Sequence, residues 1–278
     1  MTLETPSQHS GRTPKPGTKS SRLLAVLDLF SVEAPVWTVE TMAGPLGVAP
    51  ATAYRYVRDL CEAGLLIQAA GGGYALGPRF IEIDRQIRIA DPLLKIGPRI
   101  MESLRDRQVG AQLLCSFYGT RVLCIHQDRS DDRISMSMER GRPFPLFLGA
   151  PSRIILANLP SYHLKSLFLS HSREIERAGL GAGWHEFKER LKSIRKRGIY
   201  VGSEIDAELV GVAAPIFRAP ATVVASLCMV RLRAEATGDV LTVLEAKARL
   251  GAEAISTKLQ ASGTPVTAPS YASARQPR

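Results

Sequence analysis

No uninterrupted apolar run in the 278 residues approaches the roughly 18 to 20 needed to span a bilayer, which excludes an apolar membrane helix. Residues 1–20 are polar and have no apolar centre, so they do not read as a secretory leader, and the cytoplasm is the expected compartment. Cysteine is scarce. The four present, Cys61, Cys115, Cys124 and Cys228, form no Cys-x-x-Cys pair and are too sparse to staple a chain of this length. The last three stand among strand-like apolar residues and read as small buried hydrophobes in a reducing compartment. His163, His171 and His185 lack the spacing of metal ligands, and His9 lies in the polar leading segment, so neither metal nor cofactor is expected. No internal repeat is visible.

Acidic residues are the minority charge: 26 Asp and Glu against 36 Lys and Arg give a net charge of +10. That balance permits nucleic-acid binding. Its location does not single out a segment. Residues 1–80 carry seven basic against six acidic side chains, 81–110 six against five, and 111–262 twenty-one against fifteen. With 45% hydrophobic residues the chain is long enough for more than one core, and two domains are the natural expectation. Residues 1–20, rich in Pro, Ser, Thr and Gly and carrying Arg12, Lys15 and Lys19, read as a disordered basic arm. Residues 263–278 read as a similar tail.

The first ordered stretch, 21–78, has the punctuation of three helices and a hairpin. Leu23, Leu24, Val26, Leu27 and Phe30 follow a helical period after Ser21. Thr38 is a candidate cap for a short second helix carrying Val39, Met42 and Ala43, which Gly44-Pro45 is expected to end early. Gly47 suits a tight inter-helix turn. A third helix is expected over 50–63, with Pro50 in the first turn and Ala53, Val57 and Leu60 on one face. Leu65 to Gln68, a Gly71-Gly72-Gly73 tip and Tyr74-Ala75-Leu76 complete a hairpin. This is the pattern of a winged helix-turn-helix, in which the third helix enters a major groove and the bare tip, at Gly72, approaches the phosphate backbone.

Residues 79–91 carry Phe80, Ile83, Ile87 and Ala90 at the spacing of a short helical seam, and Asp91-Pro92 opens another helix with Pro98 inside it. Strands are expected at 113–118, 122–126, 134–138, 210–217 and 222–230. Helices are expected at 154–158, 162–169, around Trp184, Phe187, Leu191 and Ile194, and from Leu241 to beyond Ile255. Adjacent strand pairs with covering helices give a second, α+β domain over 92–262 with a mainly antiparallel sheet.

The order and spacing of several short pieces resemble the IclR family of bacterial regulators. They are Leu46-Gly47-Val48, Thr52-Ala53-Tyr54-Arg55, Gly64-Leu65-Leu66, Tyr74 to Phe80, Gly141-Arg142-Pro143, Arg197-Gly198 and Ala213 to Phe217. The resemblance covers about 21–262. It implies a two-domain α+β protein: an N-terminal winged helix-turn-helix, a dimerising linker helix, and a C-terminal GAF-like α/β domain that binds a small effector, an aromatic or an organic acid. It further implies double-stranded operator DNA as a partner and assembly as a homodimer or tetramer. Carried over by position, Pro50, Ala51, Thr52, Arg55, Tyr56 and Arg58 face DNA, with Tyr54 a further candidate; Pro50-Ala51 stands where the family usually has Lys-Ser. In the sensor, Phe147 stands where histidine is frequent, Gly149, beside Ala150, where threonine is, Arg153 where lysine is, and Gly211, before Val212, where cysteine is. These exchanges predict a more open and more apolar pocket, with Asp206, Ser226 and Cys228 as its few polar groups.

Two other classes remain open on sequence. An enzyme with an accessory winged helix would need a convergent titratable set within 112–262; Cys124 and His126 alternate onto one strand face but have no orienting third group. A winged helix that binds protein is compatible with the near-neutral first 80 residues.

Overall fold

The computed structural model describes residues 19–262, so the expected arm and tail lie outside it except for Lys19 and Ser20, which open the first helix. The chain divides into two units, Met1–Arg88 and Ile89–Arg278.

In the first unit, α1 (Lys19–Ala25) is followed by a 3-10 turn at Leu27–Leu29, so the opening helical period is broken into two pieces. Helix α2 (Val39–Leu46) starts at a reciprocal cap: the Thr38 hydroxyl accepts from the Thr41 amide, and Thr41 Oγ1 accepts from the Thr38 amide. The expected early stop at Gly44-Pro45 does not occur. The proline clash falls partly on the preceding Cβ, which glycine lacks, and the helix runs on to Leu46 before Gly47 caps it at φ 62°. Helix α3 (Pro50–Glu62) has Pro50 at its first position. Strands β1 (Leu66–Gln68) and β2 (Tyr74–Leu76) pair antiparallel, Leu66 opposite Leu76, and Trp37 bridges Tyr74 as a third, minimal strand. Ala25, Val26, Val39, Met42, Ala53, Val57, Leu60 and Leu66 form the core of this unit. Helix α4 (Arg79–Ala90) leaves it, and none of its residues is buried.

The second unit is built on a six-stranded sheet in the order β5-β4-β3-β8-β7-β6, with every neighbouring pair antiparallel. The strands are β3 (Ala111–Phe117), β4 (Val122–Arg129), β5 (Pro143–Phe144), β6 (Tyr200–Gly202), β7 (Leu209–Ala219) and β8 (Thr222–Leu232). On one face α5 (Pro92–Ser103) and α9 (Gly238–Ala261) cover Leu114, Val212, Ala214, Leu227 and Met229. On the other, α6 (Ala150–Ala157), α7 (Ser161–Arg177) and α8 (Trp184–Arg197) cover Leu113, Cys115, Ala213, Cys228 and Val230. Helix α5 contains Pro98 directly after Gly97, the same Gly-Pro arrangement as in α2.

The strand expected at 134–138 is a loop. Ile134 and Met136 are buried with strand-like alternation, but the edge of β4 is taken by Pro143–Phe144 instead. Strand β6 was not anticipated; it is three residues long. No helix of the described residues is long and apolar enough to cross a membrane.

Gly77 joins the hairpin to α4, and a Cβ there would lie 2.2 Å from the Gly64 carbonyl oxygen. Because the obstacle is backbone, Gly77→Ala is expected to cost the first unit about 1–3 kcal/mol. Urea unfolding followed by Trp37 fluorescence in a Trp184→Phe background would measure it, and an unchanged midpoint would show that the turn relaxes freely.

Candidate DNA-reading surface and effector cavity

Helix α3 is divided lengthwise. Ala53, Tyr56, Val57 and Leu60 point into the core, while Ala51, Tyr54, Arg55 and Arg58 are exposed. The exposed set, at steps of three and four, lies on one helical face. With Leu66, Ile67 and Gln68 of β1 and Tyr74 of β2 it lines a single groove between helix and wing. Tyr56, expected on the DNA side, is 5% exposed and is a core residue, because its position continues the Ala53 and Leu60 face. Thr52 is half-buried, and Pro50 and Gly72 are exposed. Gln68 and Tyr74 were not singled out in the sequence; only the hairpin register places them beside α3.

Helix α3 is braced from α2 by the Tyr54 hydroxyl, which donates to Glu40 Oε1 at 2.6 Å. This bond holds the Glu40 carboxyl below its ordinary value and pushes the Tyr54 phenol above its own. Arg58 shares its charge with Asp59 at 3.3 Å and Glu62 at 3.7 Å. Arg55 has no carboxylate partner among the described residues, and its guanidinium sits 5.9 Å from the Tyr56 ring centroid. The helix starts at Ala49 without a side-chain cap, which leaves its first turn open to an anion.

In the second unit a small cavity, about 50 Å³ and open to solvent on one side, lies between the sheet and the start of α6. Leu113, Cys228 and Val230 form its floor, Met136, Met138 and Phe144 one wall, and Ser203 to Asp206 with Leu209 the other. The expected residues Gly149, Ala150, Asp206, Gly211 and Cys228 all line it. Three others do not. Phe147 packs in the helical-side core with its ring 5.7 Å from that of His171. The Ser226 hydroxyl is buried and donates to the Pro151 carbonyl at 3.3 Å, tying β8 to α6. Val212, next to Gly211 on a strand, points to the opposite face and packs under α9.

The space expected from Gly149 is also filled: a Cβ there would meet Ile205 Cγ1 at 2.8 Å, and the backbone is at φ 80°. At Gly211 a Cβ would lie 3.2 Å from Cys228 Sγ. The glycines admit neighbours rather than opening a void. Met136, Met138, Phe144 and Ile205 were missed by sequence reasoning; the alternation of Met136 with Met138 was the available signal.

Behind the cavity wall, Arg153 is nearly buried and fully engaged. It pairs with Glu204 at 3.0 Å, donates to the carbonyls of Phe147 and Ala178 at 3.2 and 2.7 Å, and bonds the Tyr200 hydroxyl. Tyr200 in turn donates to Glu204 at 2.5 Å, and burial together with that bond pushes its phenol up to about 12. The Cys124 thiol is buried and donates to the His126 backbone carbonyl, not to the ring. No group of three His, Cys, Asp or Glu among the described residues could hold a metal ion.

Two family models cover most of the described chain. The model of the IclR helix-turn-helix domain matches 21–70, and that of the bacterial transcriptional regulator IclR C-terminal domain matches 91–257. The chain belongs to the IclR family. It is therefore a transcriptional regulator with a helix-turn-helix DNA-binding domain and a C-terminal effector-binding domain. It is 26% identical over 242 residues to the regulator KipR of Bacillus subtilis, spanning 85% of this chain and 94% of that one. Among solved structures it resembles the IclR of Thermotoga maritima at 21% identity and TM-score 0.67, covering 87% of this chain and 98% of that one. An IclR homologue from Microbacterium hydrocarbonoxydans, solved in complex with 4-hydroxybenzoate, matches at 20% identity and TM-score 0.66, covering 88% and 100%.

Removing Arg153 leaves the Phe147 and Ala178 carbonyls without their donor, while Glu204, which is solvent-exposed, keeps Tyr200. Arg153→Met is expected to cost about 1–3 kcal/mol, the range for leaving buried acceptors unsatisfied. The midpoint of urea unfolding reads it. A loss below about 1 kcal/mol would mean that desolvation cancels the pairing.

Proposed function

We propose that this IclR-family regulator reads operator DNA with the outer face of α3, through Pro50, Ala51, Thr52, Tyr54, Arg55 and Arg58, while the Gly72 tip of the wing meets the backbone. The observation that carries this reading is the lengthwise division of α3: Ala53, Tyr56, Val57 and Leu60 hold the core, while Ala51, Tyr54, Arg55 and Arg58 are exposed on the opposite face. Arg55 is the principal contact, since no carboxylate competes for it among the described residues. The Ala51 amide, in the uncapped first turn, is placed to donate to a phosphate oxygen.

Residues 21–78 act as the reading head, 79–91 as a linker helix and 92–262 as the sensor. The linker pairs with that of a second copy through Phe80, Ile83, Ile87 and Ala90, because α4 buries none of its residues within the chain and leaves Ile87 50% exposed. A homodimer, or a tetramer built from two, presents two α3 helices to successive major grooves of a near-palindromic site. The effector occupies the cavity beneath α6 and shifts the spacing of the heads by binding one arrangement more tightly than the other. An apolar-bodied small molecule fits its walls, in keeping with the aromatic ligand held by the Microbacterium relative. The protein works in the cytoplasm as a regulator rather than a catalyst; the relatives are regulators, and the Cys124 thiol is buried and bonded to backbone.

Arg55→Ala is expected to weaken binding to fragments selected by the unaltered protein about tenfold or more and to lower the salt slope by about one phosphate contact, with folding unchanged. Equal affinity in a gel-shift titration would remove α3 from the interface. For the linker, Ile87→Glu is expected to convert the assembly to monomers in sedimentation velocity runs, and a dimer that persists would move the interface elsewhere.

A further inference from the structure

The charges around the cavity have one sign. None of its lining residues is Lys, Arg or His, whereas two, Glu204 and Asp206, are acids. Glu204 is balanced by Arg153 at 3.0 Å. Asp206 is not. Its Oδ2 accepts the Ser137 amide at 3.1 Å, and its Oδ1 has no partner among the described residues. Arg142 donates to the Ser137 carbonyl but is itself exposed, so water screens its charge. The start of α6, which also lines the cavity, offers fewer donors to an anion than a helix normally does, because Pro151 has no N–H.

The remaining walls suit a cation. The Phe144 ring lines the space and is 6% exposed, and Met136 and Met138 add polarisable thioethers. A carboxylate in this setting would be a buried charge with no counter-ion from the protein, facing a carboxylate already there. An ammonium group would find both a counter-ion and an aromatic face.

Resting on the reading of this cavity as the effector site, we propose that the effector is an amine: an apolar body seated on Leu113, Leu209 and Val230, with a protonated amino group directed at Asp206 and Phe144. This separates the chain from the relative that holds 4-hydroxybenzoate, an anion at neutral pH.

The test is calorimetric titration of the full chain with a size-matched set, benzylamine, benzyl alcohol and benzoate, repeated with methylamine, methanol and acetate. Benzylamine is expected to bind at least tenfold more tightly than benzoate. Asp206→Asn, which keeps an oxygen for the Ser137 amide, is expected to bring benzylamine down to the affinity of benzyl alcohol and leave benzyl alcohol within twofold of its original value. That last measurement also reports that the cavity has survived the substitution. Benzoate binding as tightly as benzylamine, or an amine preference that survives Asp206→Asn, overturns the charge assignment and leaves the effector site in place. Silence from all six compounds overturns both.

Discussion

Everything in the sensor unit depends on one sheet being dry on both faces. All seven residues of β3 and eight of the eleven in β8 are buried, and the side chains alternate between the layer under α5 and α9 and the layer under α6, α7 and α8. A sheet covered on both sides cannot carry solvated polar groups on its central strands, so each polar residue there must be satisfied locally. Gln112 Nε2 donates to the Met101 carbonyl, although its Oε1 is buried without a partner among the described residues, and Ser226 donates to Pro151. The cavity sits at the edge of that packing, where Gly149 and Gly211 let Ile205 and Cys228 approach and α6 begins at Ala150.

The DNA-binding unit solves a different problem with less material. Its core comes from short elements, and α3 must serve that core and the solvent at once. The Thr38 cap fixes where α2 starts, Gly47 fixes where it ends, and the Tyr54–Glu40 hydrogen bond sets the outer face of α3 against α2. The side chains left outside are thus held at one helical face by contacts on the other three sides.

Legibility in the sequence followed the strength of the local signal. The α3 boundaries, the hairpin and the helix that follows it came through because proline, glycine and the helical period agree there. Central strands were found from apolar composition, as expected where both faces are buried. Failures have local causes. Gly44-Pro45 reads as a stop, yet the missing Cβ removes part of the clash. The Ile134-Met136-Met138 alternation reads as a strand, yet the partner edge was already occupied. Strand β6 is only three half-buried residues and exists through pairing with β7. Of the sites, Tyr56 and Val212 were misplaced by one helical step and one strand step respectively. Both errors lie in which way a side chain points, which the partner elements decide. Asp206 was expected in the cavity; Glu204 was not, and neither was their meeting with the methionine loop, which arises only in three dimensions.

The wing tip has a consequence of its own. Gly71, Gly72 and Gly73 all sit at positive φ and expose nothing beyond main chain. In the proposed complex a tip so bare brings only main-chain groups to the duplex, which read base identity weakly and the spacing of the two sugar-phosphate rails chiefly. Any preference it contributes would be for stretches of duplex that narrow or widen easily, so bases never touched by the protein would still weigh in the choice of site.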